Sequence, residues 1–150
     1  MNQYAKVSSV TLQTSQGDIY FRSGFEGKIA IYLDMLLAGG NVGHWEYEPK
    51  RFKLVKYKDY LPDFCVFPMA GDGDHYWIEG KGILKPKDYN RIKEFTQLYP
   101  DELIEIYADG LPVGKTPKSR TALGRWQRLE KHVNRVVNAN KLFKELGVRL

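Results

Sequence analysis

The spacing of apolar residues changes period three times between residues 23 and 109, and that order of changes restricts the fold more than any single motif. In SGFEGKIAIYLDMLLAGG (23–40), Phe25, Ile29, Tyr32, Leu33, Leu36 and Leu37 recur at helical spacing. Ser23 offers an N-cap with Glu26 three residues on, and Gly39 with Gly40 offers a stop, so the segment predicts a helix. Three aromatic-rich segments follow, HWEYEPKRFKLVKYK (44–58), YLPDFCVFP (60–68) and HYWIEGKGIL (75–84), and predict a meander of strands. KPKDYNRIKEFTQLYP (85–100) returns to helical spacing, opening near Pro86 and Asp88 and closing at Pro100; ELIEIYAD (102–109) is a further strand. Helix, three strands, helix, strand is the order of an α/β (α+β) domain with a mixed central sheet flanked by helices. Upstream, residues 5–13 and 17–22 read as two strands joined across TSQG.

Beyond residue 110 the character changes. GLPVGKTPKS (110–119) reads as a flexible connection, and RTALGRWQRLEKHVNRVVNANKLFKELG (120–147) keeps Leu123, Trp126, Leu129, Val133, Val136 and Val137 at helical spacing, interleaved with Arg125, Arg128, Lys131 and Arg135. The expectation is one basic amphipathic helix, with residues 1–110 as a core and 111–150 as a linker and helix, either part of the same domain or an extension for dimerisation or DNA binding. The net charge is +5, and residues 111–150 hold ten Lys or Arg against two acids, whereas residues 1–110 hold thirteen against sixteen. A basic segment on a slightly acidic body favours a polyanionic partner, nucleic acid before membrane surface.

Several classes are set aside on composition. The longest apolar stretch, 29–38, is interrupted by Tyr32 and Asp34 and is far shorter than the roughly 20 residues that span a bilayer. The first sixteen residues do not read as a secretory signal, and a single cysteine, Cys65, allows neither an intrachain disulfide nor a thiolate metal cluster, so a cytoplasmic location is expected. His44, His75 and His132 share no zinc spacing, DGD (72–74) lacks the rest of a calcium loop, and GLPVGKT carries Leu111 where a phosphate loop needs its first glycine.

Charged residues are depleted from strands, yet Asp63 lies in YLPDF, and Glu79 and Lys81 lie in YWIEGKG. Alternate side chains share a face, so Glu79 and Lys81 point the same way, and pairing of the two segments sets Asp63 beside Glu79. Two carboxylates and a main-chain carbonyl such as that of Gly80 form a hard oxygen site suited to Mg²⁺. Lys81 beside them can orient an attacking water and offset charge growing on a phosphate. A cross-strand ion pair on a solvated sheet face is the other reading of the same residues. Gly80 and Gly82 leave the backbone around Lys81 open to a ligand. Glu26, in the first turn of the first helix, is a capping residue when taken alone.

The order FRSGFE, WEYEP, LPDF, IEGKG and a Lys- and Arg-bearing helix ending LYP resembles the PD-(D/E)XK nuclease superfamily, in particular its small phage endonucleases of the junction-resolving endonuclease I type. The resemblance covers residues 20–109 and implies a restriction-endonuclease-like core and a Mg²⁺-dependent endodeoxyribonuclease, with Mn²⁺ as a substitute. It places the metal on Asp63, Glu79 and the Gly80 carbonyl, and the catalytic lysine on Lys81. Glu26 then assists a second metal or orients Lys81, and Glu46 falls on an accessory acidic position, with Glu48 sharing its face. Branched DNA of the Holliday-junction kind is the implied substrate. A sequence-specific homing or restriction-type enzyme on the same fold, or a non-catalytic DNA-binding subunit, are the alternatives. Lys85, Lys87, Arg91, Lys93, Arg120, Arg125, Arg128 and Arg135 are candidates for phosphate contacts. Cutting both strands calls for a homodimer, with the apolar face of the tail helix as one candidate interface and packing onto its own domain as the other reading. The long loop MAGDGDH and the basic tail have no counterpart in the resemblance.

Overall fold

The computed structural model describes residues 8–150. A hairpin of β1 (Val10–Thr14) and β2 (Gly17–Phe21) opens the described chain, and residues 5–7 of the expected first strand lie outside it. Helix α1 (Gly24–Ala38) follows; the Ser23 hydroxyl accepts from Glu26 N while the Glu26 carboxylate accepts from Ser23 N, so both partners of the expected capping box are engaged. The central sheet runs β3 (His44–Tyr47), β6 (Phe64–Phe67), β7 (Tyr76–Lys81), β8 (Leu103–Ala108) and β9 (Arg135–Asn138), antiparallel over the first three strands and parallel over the last three. The expected mixed α/β fold is what the chain adopts.

Alternation along the strands divides the core between the two faces of this sheet. Phe64, Val66, Ile78 and Tyr107 point to one face, where Ile29, Ala30 and Leu33 of α1 and Ala139 and Phe143 of α4 (Ala139–Leu146) cover them. Cys65, Trp77, Ile104, Ile106 and Ala108 point to the other, under Ile92 and Phe95 of α2 (Pro86–Leu98) and Trp126 and Leu129 of α3 (Pro117–Leu129). A small ribbon, β4 (Phe52–Lys53) paired with β5 (Asp59–Tyr60), caps this second face through Phe52, which meets Trp77 and Phe95 edge-on with ring centroids 5.2 and 4.9 Å apart.

Two expectations are corrected. The segment 44–58 is not one strand: Glu48 takes φ of 47°, Pro49 follows, and the chain leaves the sheet to form β4. Nor is 120–147 one helix. It is α3, then the edge strand β9, then α4, so the carboxy-terminal segment supplies a strand of the central sheet. Asn134 switches the chain: its N–H donates to Ile104 O at 2.9 Å and its carboxamide oxygen accepts from Ile104 N at 2.7 Å. The β-branched pair Val136–Val137 then suits a strand along the open edge of β8, and Asn138 caps α4 by accepting from Lys141 N. Trp126 and Leu129 are buried against the chain's own sheet, so the apolar face of α3 is not free to form a dimer seam. No helix of the described residues is long and apolar enough to cross a membrane.

Candidate active site

The site grows from the register of β6 on β7. Phe64 pairs with Ile78, so Asp63, one step before β6, stands opposite Glu79. Two hydrogen bonds lock that step: Gly80 N donates to Asp63 Oδ2 at 2.8 Å, and Asp63 N donates to Glu79 Oε2 at 3.2 Å. Both carboxylates are only 5% exposed. Burial, reinforced by the facing Glu79 and Glu26 carboxylates, raises the pKa of Asp63 well above the usual range. Burial likewise pushes Glu79 up to about 7, although Lys81, Tyr60 and the Asp63 N–H favour its charged form.

Lys81 shares the face of Glu79, as its spacing requires, and its Nζ lies 3.5 Å from Glu79 Oε1 and 3.5 Å from Asp88 Oδ1. Burial alone lowers its pKa, but Glu79, Asp88 and Asp63 together raise it, so the side chain is a firmly protonated ammonium. Asp88 was legible in the sequence only as the opening of α2. It accepts from Lys85 N at the helix start and also fixes the lysine.

Glu26 is near enough to Asp63 to raise its pKa, yet its carboxylate is tied elsewhere: Oε2 accepts from Ser23 N and Oγ, and Oε1 accepts from the Tyr47 hydroxyl at 3.1 Å. Glu46 is not drawn into the group. It faces Cys65 across β3 and β6, lies 3.2 Å from His44 Nε2, and lines a separate cleft of about 280 Å³ with His75, Trp77 and Glu102. Glu48 is the acid beside Asp63, since its N–H donates to Asp63 O at 2.7 Å, and its carboxylate pairs with Arg22 at 2.8 Å.

The reason for glycine at position 80 also differs from expectation. A Cβ there would stand 2.8 Å from Ile29 Cδ1 and 3.2 Å from Phe25 Cε1, so the glycine lets α1 sit close against β7. The open approach is at Gly82, where a Cβ would meet nothing within 4 Å. Cys65 is a core residue whose thiol burial pushes up to about 12.

The basic candidates separate by environment. Lys85, Lys87 and Arg120 are exposed, the two lysines at the start of α2 a few residues beyond Lys81, and Lys93 is half-buried. Arg91 stacks its guanidinium 5.3 Å from the Tyr57 ring, Arg128 lies 5.9 Å from the Tyr89 ring, and Arg125 donates to Leu84 O at 2.9 Å. Arg135 sits on β9 at the far sheet edge, paired with Glu105 at 3.0 Å.

Among the described residues no three His, Cys, Asp or Glu side chains form a ready-made cage for a metal ion. Mg²⁺ requires less, because it keeps several waters and is commonly bound by one or two carboxylates. Two facing buried carboxylates with one ammonium between them and Asp88 fit that requirement, and a divalent charge offsets the burial that raises both pKa values and the repulsion that adds to it at Asp63. The buried Tyr60 hydroxyl, close to Glu79 but short of full hydrogen-bond geometry, adds a further polar atom on the same side. No family model, curated protein or solved structure matches this chain.

Proposed function

We propose that this chain is a Mg²⁺-dependent endodeoxyribonuclease of the PD-(D/E)XK kind, acting on branched DNA. The observation that carries the reading is the Asp63–Glu79 pair, buried and directly opposed across β6 and β7, with the Lys81 ammonium 3.5 Å from Glu79. An ion pair on a solvated sheet face, the competing reading, does not describe carboxylates that are 5% exposed. A DNA-binding subunit without chemistry has no use for buried acids turned toward phosphate, because they repel it unless a cation intervenes.

Asp63 and Glu79 hold the cation, with the Gly80 carbonyl as the main-chain ligand. Glu26, joined to Ser23 and Tyr47, supports Asp63 electrostatically. When bound, Mg²⁺ supplies Lewis-acid stabilisation of the phosphate. Lys81, kept protonated by Glu79 and Asp88, acts as a charge: it orients water and meets the negative charge that grows on the phosphate, and it does not act as a base in this state. Lys85 and Lys87 give sequence-independent phosphate contacts beside the site. A second cut needs a second copy of the site, hence a homodimer, whose interface lies somewhere other than the apolar face of α3.

The test is cleavage of an end-labelled four-way junction and of a linear duplex of matched sequence, with Mg²⁺ or chelator, by the native chain and Glu79→Gln. Metal-dependent cutting that prefers the junction and disappears in the variant is expected. Equal cutting of both DNAs contradicts the substrate, and tight binding without cutting contradicts the chemistry.

A further inference from the structure

One buried group beside the acid pair, Tyr60, takes no part in the proposed chemistry, and the inference drawn from it rests on reading that pair as a cation site. Tyr60, the last residue of β5, is 4% exposed, and its hydroxyl lies close to Glu79 but short of full hydrogen-bond geometry to it or to any other group. The ring is fixed by Phe95, 5.0 Å away between centroids, and by the pairing of Tyr60 with Phe52 across the ribbon. The hydroxyl lies on the side of Glu79 and Asp63, and a phenol O–H is a hydrogen-bond donor. An unpartnered buried hydroxyl is unfavourable, and phenylalanine would fill the same space without it.

The carboxylate of Glu79 suggests a role for this hydroxyl. A carboxylate has about four lone-pair positions. Asp63 N takes one at 3.2 Å on Oε2, and Lys81 Nζ lies 3.5 Å from Oε1. We propose that Tyr60 is a positioning residue of the cation site: its hydroxyl closes on Glu79 as a third donor, fixing the carboxylate so that the remaining lone pair is presented to a divalent cation. Tyr60 touches neither substrate nor reacting atoms; it acts through Glu79. It explains why the β4–β5 ribbon, which carries no charge into the site, is folded down over this end of the sheet.

The test uses Tyr60→Phe and measures Mn²⁺ binding by the electron paramagnetic resonance of the free ion, together with melting in chelator. Loss of the hydroxyl is expected to weaken Mn²⁺ binding about 10-fold, the effect of removing a group that orients a metal ligand, while the melting temperature in chelator stays level or rises. A merely structural tyrosine shows neither this pairing nor its sign. Tyr99→Phe, which removes a hydroxyl bound to Lys53 O, is the control and should leave Mn²⁺ affinity unchanged. Native affinity in Tyr60→Phe overturns the positioning role and leaves the cation site standing. A native chain that binds no Mn²⁺ overturns the site reading, and the role of Tyr60 with it.

Discussion

The β6–β7 ladder has a buried or half-buried acid cluster toward each end of the same sheet face, and the two are built in opposite ways. Toward the start of β7, Glu102 Oε2 accepts from Trp77 Nε1 at 2.8 Å and lies 2.8 Å from His75 Nε2. Burial by itself would raise the pKa of Glu102, but those two partners outweigh it and lower it. Two residues further along the face, about 7 Å by strand geometry, Glu79 and Asp63 face each other; burial raises both, and for Asp63 the Glu79 and Glu26 carboxylates add to it. The first cluster supplies a proton donor for each charge it buries; the second brings two carboxylates together and leaves them short of positive charge. A satisfied cluster stabilises the fold, whereas an unsatisfied one of this composition is what the proposed cation site requires.

The largest expected effect separates the two ends by activity. Glu79→Gln lowers DNA cleavage by on the order of 10³-fold, whereas Glu102→Gln leaves the rate within about 2-fold, measured under single-turnover conditions on the same junction. Equal losses would erase the distinction.

The pH dependence of folding has opposite signs at the two ends. Glu79 titrates near 7 when folded against 4.5 when unfolded, so its contribution to stability is complete below 4.5 and is lost as pH rises to about 7. That shift is on the order of 3 kcal/mol, and chemical denaturation in chelator from pH 4.5 to 8 should show the decline in the native chain and a shallower one in Glu79→Gln, where buried Asp63 still contributes. Glu102, with a lowered pKa, contributes stability above 4.5 that is lost as pH falls through its folded value, so Glu102→Gln removes stability at neutral pH. A native profile that rises toward neutrality with no decline contradicts the raised pair.

Smaller effects refine the contrast. Trp77→Phe deprives Glu102 of one donor and should cost about 1–2 kcal/mol in denaturant unfolding without changing divalent-cation affinity. Lys87→Ala should weaken DNA binding a few-fold and reduce the slope of log K against log salt by about 0.9, a change that no substitution around Glu102 produces.

Where the folding information is local, the sequence carries it openly. Ser23 and Glu26 announce the start of α1, Pro86 and Pro100 bracket α2, and the alternation in YWIEGK puts Glu79 and Lys81 on one face before any partner strand is known. Where the decision is made by a distant partner, the pattern misleads. Val133, Val136 and Val137 fit a helical stripe, and only the open edge of β8, reached through Asn134 and Ile104, turns that stretch into β9. Glu46 and Glu48 share a face in an unbroken strand, but the positive φ at Glu48 ends the strand and sets that residue, paired with Arg22, next to Asp63. Tyr60 reads as one more core aromatic, because nothing local reveals that its hydroxyl lies close to Glu79 without a full hydrogen bond. The acid pair was legible; the groups that hold it in place were not.

Cation occupancy of the acid pair is the claim on which everything else rests, and thermal melting at pH 8 with and without Mg²⁺ tests it most directly. The native chain and Glu102→Gln should both melt higher in Mg²⁺ than in chelator, by the stabilisation that binding to the folded state confers, and Glu79→Gln should show no shift. A Mg²⁺ shift that survives Glu79→Gln, or none in the native chain, would contradict the account.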